Sequence, residues 1–489
     1  MTNLKNKAIS GVKWTTVSAV AASLMQLIQV AVLTRYLDKT DFGLMAMALF
    51  VIGISQIFID MGMSNALIHK QRVNKFQLST LFWLNTMMGI AIFLVIISIS
   101  PFIAQYYDTP ELRGVIDWTA VSFLILPWGQ QFEALLRRDL RFKSLSVRDI
   151  VSKSIGLVIA VILAYKGFGV YALVYANLSG ALASVTLLLI LGMKDYRPSF
   201  IFSHKSLRNK GFFSFGLFQM GERMINYFNS NFDTILIGKI LGMEALGLYN
   251  IAKILAMKPY QILNPIITKV AFPVFAKVQN DLIKLRNTYL KVVNILTATN
   301  APVYMLMVLF AKPLIFIVFG SAWLSATPIL QLLAVGALCN SIGNPVGSLQ
   351  LARGRADLGF YWNLIIFIFL PVTIWLGGHW GLLGVALSLT IFKLIVLLLP
   401  AWYFFVKPLC DANYKEYLFS FSRSGILAIA ASVVPYFCCL AVANAYWLLI
   451  VGILSYLATY VIINLIWNKS FIGEVYKVVP VRFLNKEEK

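Results

Sequence analysis

Charged residues are scarce in this sequence. Asp, Glu, Lys and Arg make up only 13% of its 489 residues, whereas they make up roughly a quarter of an ordinary globular domain. Hydrophobic residues make up 59%, and the mean hydropathy is +0.78. A soluble protein of this composition would expose large apolar patches and aggregate. The scarcity of charge therefore excludes a soluble protein.

Residues that carry catalytic and metal chemistry are also scarce. The three histidines are too scattered for a metal cluster, and the four cysteines have neither disulfide nor zinc spacing. No Gly-x-x-x-x-Gly-Lys-Ser/Thr phosphate loop is present, which excludes ATP hydrolysis by this chain. We therefore expect no catalytic residue, no metal and no cofactor, and we predict that the protein is not an enzyme.

The hydrophobic residues fall into fourteen runs of about 20 residues or more, the length that crosses a bilayer. The predicted spans cover residues 12–36, 43–66, 79–103, 115–136, 148–165, 169–192, 212–240, 245–269, 289–318, 326–350, 357–377, 381–406, 423–443 and 446–467. The sequence therefore predicts an all-α polytopic membrane protein.

The basic residues indicate how these spans are oriented. The chain has 42 Lys and Arg against 20 Asp and Glu, a formal net charge of +22. No contiguous polar domain is available to hold a nucleic acid, so we do not expect one as a partner. With both termini in the cytoplasm, about 30 of the 42 basic residues fall in inner segments, as the positive-inside rule requires. The predicted outer loops are short, which leaves no room there for a folded catalytic site.

Two segments of the chain form an internal repeat. Residues 35–44 and 239–248 align without gaps, with a basic residue eight positions before Gly43-Leu44 and Gly247-Leu248. The offset is six spans, so the two copies cross the membrane in the same direction. Such parallel repeats predict two six-helix lobes about an axis along the membrane normal, with a substrate path between them. We predict lobes at 1–200 and 201–410, followed at 411–489 by two additional helices and a cytoplasmic tail.

Polar side chains form stripes along several predicted spans. At 100° per residue, seven polar residues share one face of the seventh span and five share one face of the eighth, with Lys258 beside the second stripe. Shorter stripes lie on the first two spans. In chain order the stripes contain Thr15, Ser18, Gln26 and Gln29; Gln56, Asp60 and Ser64; Gln219, Glu222, Arg223, Asn226, Asn229, Ser230 and Asp233; and Asn250, Lys253, Gln261, Asn264 and Thr268.

These stripes have two interpretations. Polar groups that face lipid cost several kcal/mol, so the stripes face either each other, as interhelical hydrogen bonds, or a hydrated central cavity. The ionisable groups of the seventh and eighth spans favour the cavity, with Glu222, Arg223 and Asp233 opposite Lys253 and in part paired across the two helices. We predict that the substrate or cavity residues are Arg35, Asp60, Arg137, Arg138, Gln219, Glu222, Arg223, Asn226, Asp233, Asn250, Lys253, Lys258 and Gln261.

Several segments resemble polysaccharide exporters of the multidrug/oligosaccharidyl-lipid/polysaccharide superfamily. Residues 33–44 (LTRYLDKTDFGL) and 60–68 (DMGMSNALI) look like the opening of these proteins. Residues 135–143 (LLRRDLRFK), 231–238 (NFDTILIG) and 247–249 (GLY) are similar to the branch of Wzx-type flippases, nearest to the colanic-acid exporter type. The resemblance extends over most of the chain, although many members have twelve spans rather than fourteen.

The resemblance implies a V-shaped pair of six-helix lobes and transport by alternating access. The implied substrate is an undecaprenyl-diphosphate-linked oligosaccharide, moved from the cytoplasmic to the periplasmic leaflet of the bacterial inner membrane for exopolysaccharide, O-antigen or capsule synthesis. Arg137, Arg138 and Arg141 are placed to attract its phosphates. The polysaccharide polymerase machinery is an implied partner, and a coupling proton or sodium ion is left open, with Asp60, Glu222 and Asp233 as candidate proton carriers.

Two other functions compete with this one. An integral-membrane glycosyltransferase, polymerase or ligase acts on the same lipid-linked sugars, but it needs a large outer loop with catalytic side chains. A drug or ion antiporter has the same fold, but the basic inner loops disfavour a cationic substrate.

Overall fold

The computed structural model describes residues 2–60, 75–194, 196–199, 210–439, 442 and 444–467. Within these ranges the side chains of residues 2–9, 12, 59–60, 75 and 210–219 lie outside the description. All regular secondary structure in the described ranges is helical, which confirms the predicted all-α fold.

The first part of the chain forms long helices separated by short turns. They are α1 (Thr2–Leu33), α2 (Lys39–Asp60), α3 (Lys75–Tyr106), α4 (Glu111–Ala120), α5 (Ser122–Ile125), α6 (Pro127–Arg138), α7 (Phe142–Tyr165) and α8 (Val170–Gly192). Pro127 occupies the first turn of α6, where its missing N–H costs no helical hydrogen bond. The predicted span at 115–136 is therefore a series of three short helices, α4 to α6.

Helix α9 (Lys210–Val278) is broken at Gly242. Gly242 has φ 84° and ψ 175°, a backbone conformation that glycine adopts without the steric penalty of a side chain. The break lies between the predicted spans at 212–240 and 245–269. It lets the chain leave one span and begin the next within a few residues.

The remaining helices begin after a short turn at residues 279–281. They are α10 (Leu282–Leu309), α11 (Ala311–Phe319), a 3-10 helix (Ser321–Ala326), α12 (Thr327–Gly343), α13 (Pro345–Ala352), α14 (Ala356–Gly378), α15 (Gly381–Leu398), a π-helix (Trp402–Val406), α16 (Lys407–Cys410), α17 (Tyr414–Ala430), α18 (Val433–Cys439) and α19 (Ala445–Trp467).

Eleven helical stretches of the described chain are long and apolar enough to cross a membrane. One of them, Met220–Val278, contains two of the predicted spans on either side of Gly242. The predicted spans at 115–136 and 148–165 coincide with α4–α6 and α7, and α7 is less apolar because it carries Lys143, Arg148, Asp149 and Lys153. The protein is a multi-pass membrane protein, and the fourteen predicted spans are consistent with its helices.

The described residues pack into two compact units. Unit 1 comprises Met1–Ile251 with Asn363–Gly378, and unit 2 comprises Ala252–Trp362 with His379–Lys489. The core of unit 1 includes Phe132 and Leu188, and the core of unit 2 includes Tyr289. The units are defined by packing and the lobes by the sequence repeat, so the lobe borders at 200 and 410 stay a prediction.

Candidate functional site

Four turns of unit 1 lie at one end of its helices. The ammonium group of Lys239 lies 3.2 Å from the Asp108 carboxylate, in the turn between α3 and α4. The ammonium group of Lys39 lies 3.1 Å from the Glu244 carboxylate. The rings of Tyr36 and Tyr165 meet edge to face at 6.3 Å. These contacts bring together the turns after α1, α3 and α7 and the break in α9, which are the predicted outer loops of this unit.

The predicted inner segments meet at other contacts. Lys143, at the start of α7, lies 5.5 Å from the centre of the Trp14 ring in α1. The hydroxyl groups of Ser79, near the start of α3, and Ser199, after α8, lie 3.0 Å apart. Residues that the sequence assigns to the same side of the membrane therefore lie together within unit 1.

The two glycines of the repeat pack against each other. A Cβ atom at Gly43 would overlap the carbonyl group of Met243, and a Cβ atom at Gly247 would overlap the carbonyl group of Lys39. Met243 and Gly247 are the equivalents, in the second copy of the repeat, of Lys39 and Gly43 in the first. The contact is therefore reciprocal, as an interface across a two-fold axis is. The sequence alignment did not predict this contact, and the two-lobe arrangement stays a prediction.

Part of α9 before Gly242 forms hydrogen bonds to neighbouring helices. The Asn229 side-chain amide donates a hydrogen bond of 2.8 Å to the carbonyl oxygen of Asn363 in α14. The Tyr227 hydroxyl donates one of 3.0 Å to the carbonyl oxygen of Phe50 in α2. These two side chains join α9 to its neighbours, as the interpretation of interhelical hydrogen bonds expects. Tyr227 was not among the sequence candidates because an aromatic residue in a span carries no polar signal.

Asp233 is the most enclosed acid of the seventh span. The residue is only 9% exposed. One carboxylate oxygen accepts the Thr234 backbone N–H at 2.8 Å, and the other accepts the Tyr249 hydroxyl at 2.8 Å. Buried carboxylates need such donors because removal from water is costly. Tyr249 reaches Asp233 because the break at Gly242 turns the chain back, and the polar stripe did not reveal this partner.

The rest of this stripe is more accessible. Glu222 and Ser230 are exposed, and Arg223 and Asn226 are half-buried. Glu222 forms no ion pair with any residue that the structure describes. The predicted cavity face therefore contains packed residues, Asn229 and Asp233, and accessible residues, among them Glu222 and Ser230.

The stripe of the eighth span also divides. Asn250 and Lys253 are half-buried and Gln261 is exposed, while Lys258 is only 8% exposed. Asn264 is part of a buried network in unit 2. Its amide oxygen accepts the Ser341 hydroxyl at 2.7 Å and the Asn300 amide at 3.2 Å, and its amide group donates to the Ser341 carbonyl at 3.1 Å. This network stabilises the packing of α9, α10 and α12.

The predicted ion pairs between the two stripes stay a prediction. Asp233 belongs to unit 1, whereas Lys253 belongs to unit 2. The side chains of Asp60 and Gln219 lie outside the described residues. Arg35 is exposed and lies just after α1, at the end of unit 1 that carries the Lys239–Asp108 ion pair.

The inner arginines differ from each other in their partners. The guanidinium group of Arg137 donates two hydrogen bonds, of 2.5 and 3.1 Å, to one oxygen of Glu133. The other oxygen of Glu133 accepts Arg148 at 2.7 Å, and Arg148 also pairs with Asp149 at 2.7 Å. Arg138 donates a hydrogen bond only to the neighbouring Asp139, at 3.3 Å, among the described residues. Arg137 is therefore held by a carboxylate, whereas Arg138 keeps free hydrogen-bond donors.

Comparison with known proteins shows what the chain is similar to. A family model described as "Polysaccharide biosynthesis protein" matches residues 32–328. The lipopolysaccharide biosynthesis protein WzxC of Escherichia coli (strain K12) is 32% identical over 89% of this chain and 88% of its own. The teichuronic acid biosynthesis protein TuaB of Bacillus subtilis (strain 168) is 33% identical over 89% of this chain and 90% of its own.

A solved structure shares the fold at low sequence identity. The lipid II flippase MurJ, in an inward closed conformation, superimposes with a TM-score of 0.75. It covers 94% of this chain and 100% of its own, at 14% identity. The architecture is therefore shared over nearly the whole length.

Proposed function

Because the chain belongs to the polysaccharide biosynthesis protein family, we propose that it is a flippase for lipid-linked oligosaccharide. It moves undecaprenyl-diphosphate-linked repeat units from the cytoplasmic to the periplasmic leaflet of the bacterial inner membrane. The repeat units then serve exopolysaccharide, O-antigen or capsule synthesis. WzxC is named as a lipopolysaccharide biosynthesis protein and TuaB as a teichuronic acid biosynthesis protein, which supports an oligosaccharide precursor as the substrate.

The observation that carries the proposal is the reciprocal contact of Gly43 with Gly247. The two copies of the repeat meet there through backbone atoms, at the end of unit 1 that also holds the Lys39–Glu244 ion pair. Alternating access needs two similar halves that can approach and separate at one end of the membrane. A contact made of glycine and backbone carbonyl groups is narrow, and its separation exposes little apolar surface.

The accessible polar residues support a substrate that is rich in hydroxyl groups. Glu222, Asn226 and Ser230 present carboxylate, amide and hydroxyl groups on one face of α9. Sugars need many such partners, and a diphosphate needs cations, for which we propose Arg35 and Arg223 of unit 1. The other sequence candidates, Asp60, Gln219 and Asn250 of unit 1 and Lys253, Lys258 and Gln261 of unit 2, are each proposed to contact the substrate.

The orientation of the protein and its partners are part of the same proposal. Both termini are cytoplasmic, since this places most Lys and Arg on the inner side. The protein carries out no covalent chemistry, and a polymerase uses the delivered repeat units in the periplasm. A proton or sodium gradient, or consumption of the substrate by that polymerase, supplies the direction of transport.

Deletion of the gene tests this proposal. We expect lipid-linked repeat units to accumulate in the inner leaflet, where a membrane-impermeant sugar-oxidising reagent does not reach them in intact spheroplasts. The wild-type gene on a plasmid should restore both the polysaccharide and the normal lipid pool. Accumulation of unpolymerised repeat units on the outer face would instead identify a polymerase. An unchanged lipid pool together with sensitivity to a drug would identify an antiporter.

A further inference from the structure

A small cavity lies in unit 1 near the predicted cytoplasmic ends of α3, α6 and α8. Its volume is about 150 Å³. Its walls include Leu78 from α3, Phe132, Leu135 and Leu136 from α6, and Tyr196 after α8, with Arg138 and Asp139 beside them. Most of the lining is apolar, and the charged groups come from two consecutive residues. The cavity therefore fits a ligand that has both a hydrocarbon part and an ionic group.

Hydrogen bonds between its helices fix the walls of this cavity. The Gln131 side-chain amide donates to the Leu78 carbonyl oxygen at 2.8 Å, which joins α6 to α3. Ser79 bonds to the Tyr196 hydroxyl, and the Trp83 indole N–H donates to the Ser199 carbonyl oxygen at 3.1 Å. The segment after α8 is therefore held against α3.

Close packing on the other side also fixes the cavity. Gly192 is buried near the end of α8, and a Cβ atom there would overlap the Phe132 ring. The ring therefore rests directly on the backbone of α8. A site whose walls are held in this way suits a resident ligand, because a transported substrate needs walls that open.

The polar groups of the cavity indicate the charge of its ligand. The Tyr196 hydroxyl already bonds to Ser79, and burial raises the pKa of the Tyr196 phenol, so this wall stays neutral at physiological pH. Arg138 uses only its Nε–H, toward Asp139, among the described residues. Its two terminal amino groups therefore remain available as donors, in the fork geometry that binds a phosphate.

We propose that this cavity binds an anionic membrane phospholipid. Arg138 binds its phosphate, and the apolar walls contact the first carbons of the lipid chain. Basic pockets between membrane helices on the cytoplasmic side bind such head groups. The Asp139 carboxylate beside Arg138 disfavours a more highly charged diphosphate. The apolar walls offer sugars no hydroxyl partners. The site is therefore distinct from the proposed transport path, and we assign Arg138 to it although the sequence made Arg138 a candidate for the substrate.

Retention of lipid by the purified full-length protein tests this site. We would measure bound lipid by native mass spectrometry after adding phosphatidylglycerol, phosphatidylcholine or undecaprenyl diphosphate. Arg138→Gln should reduce the retention of phosphatidylglycerol about ten-fold, the effect expected for one charge-assisted pair. Arg137→Gln is the matched control, since the Arg137 guanidinium is already occupied by Glu133, and it should leave retention unchanged.

A second variant tests the apolar part of the site independently. Leu135→Trp fills the cavity but keeps Arg138, and it should reduce phosphatidylglycerol retention as well, with the melting temperature as the check on folding. Equal effects of Arg137→Gln and Arg138→Gln, or no effect of Arg138→Gln, would overturn the proposal. Displacement of phosphatidylglycerol by an equal concentration of undecaprenyl diphosphate would also overturn it, because the site would then belong to the transported lipid.

Discussion

Gly43 and Gly247 are equivalent residues of the repeat, and the backbone around each one fills the space that a side chain on the other would need. A Cβ atom at Gly43 would lie 3.1 Å from the backbone nitrogen of Gly247, and one at Gly247 would lie 2.9 Å from that of Gly43. The backbones of α2 and α9 therefore meet directly. No other residue type allows this approach.

The first prediction concerns this contact. Gly43→Ala or Gly247→Ala forces α2 and α9 apart, because each new methyl group overlaps a carbonyl group. We expect each change to lower the free energy of unfolding by about 1–3 kcal/mol, as overpacking does, and to reduce export. Thermal denaturation in detergent and a polysaccharide assay in cells measure the two effects.

A glycine elsewhere in the same helix provides the control. A Cβ atom at Gly221, in α9, meets no atom within 4 Å. Gly221→Ala should therefore be neutral or stabilise the protein by up to about 1 kcal/mol, since alanine favours the helix. Equal effects of Gly221→Ala and Gly247→Ala would show that the close contact has no special role.

The second prediction concerns Asp233 and Tyr249. Tyr249→Phe removes the hydroxyl that donates to the buried carboxylate at 2.8 Å. We expect a loss of about 1.5–3 kcal/mol, the value of a hydrogen bond to a charged group. Tyr175→Phe, in α8, is the matched control and should change stability by less than about 0.5 kcal/mol, since its hydroxyl bonds to no described residue.

A double-mutant cycle separates this contact from other roles of Asp233. If the two side chains act together, Asp233→Asn with Tyr249→Phe should cost less than the sum of the single changes. Additive losses would mean that the hydrogen bond contributes little and that Asp233 acts through its other contacts.

The third prediction concerns the amide network of unit 2. Asn264→Leu removes the acceptor of the buried Ser341 hydroxyl, whereas the Asn300 amide keeps its bond to the Leu296 carbonyl oxygen. We expect a loss of about 1–3 kcal/mol for the buried group left without a hydrogen bond. Gln261, one turn earlier, is exposed, and Gln261→Leu should have a small effect on stability. A melting temperature that is the same for both variants would contradict the structural role of the network.

The fourth prediction concerns topology. Single cysteines at Glu111 and Lys143, both exposed, should label from the periplasmic and the cytoplasmic side respectively. The background needs all four native cysteines replaced, of which Cys339 and Cys410 are buried and call for small apolar substitutes. Labelling of both positions from one side with an impermeant maleimide would refute the predicted orientation.

The sequence revealed the parts of the fold that depend on local residue type. Apolar length located the helices, and the alignment of the two segments identified Gly43 and Gly247 as equivalent residues. Their contact came from the structure and was not predicted, because a shared sequence pattern does not say which segments meet. The break at Gly242 lies between the two spans that the sequence predicts at 212–240 and 245–269. The family resemblance was confirmed, since the family model matches residues 32–328, which include the segments that carry the resemblance.

The partners of polar side chains could not be read in the same way. The pairing of Glu133 with Arg137, four residues later, follows helical spacing, but its pairing with Arg148 from the next helix depends on a turn whose geometry the sequence does not specify. Tyr249 meets Asp233 only because the chain reverses at Gly242. A periodic pattern gives the face of a helix, whereas an ion pair also depends on which helix lies opposite.

Transport by the purified protein tests the central claim most directly. Proteoliposomes would contain the wild-type protein and lipid-linked oligosaccharide extracted from the deletion strain, with proton and sodium gradients applied in turn. An impermeant reagent would measure the share of sugar on the outer face over time. We predict that the share of sugar that has reacted with the reagent rises toward the whole pool in a protein-dependent manner. This rise should be slower with Gly247→Ala than with Gly221→Ala. A share that stays at the outer-leaflet value of protein-free vesicles under every gradient would contradict the assignment as a flippase.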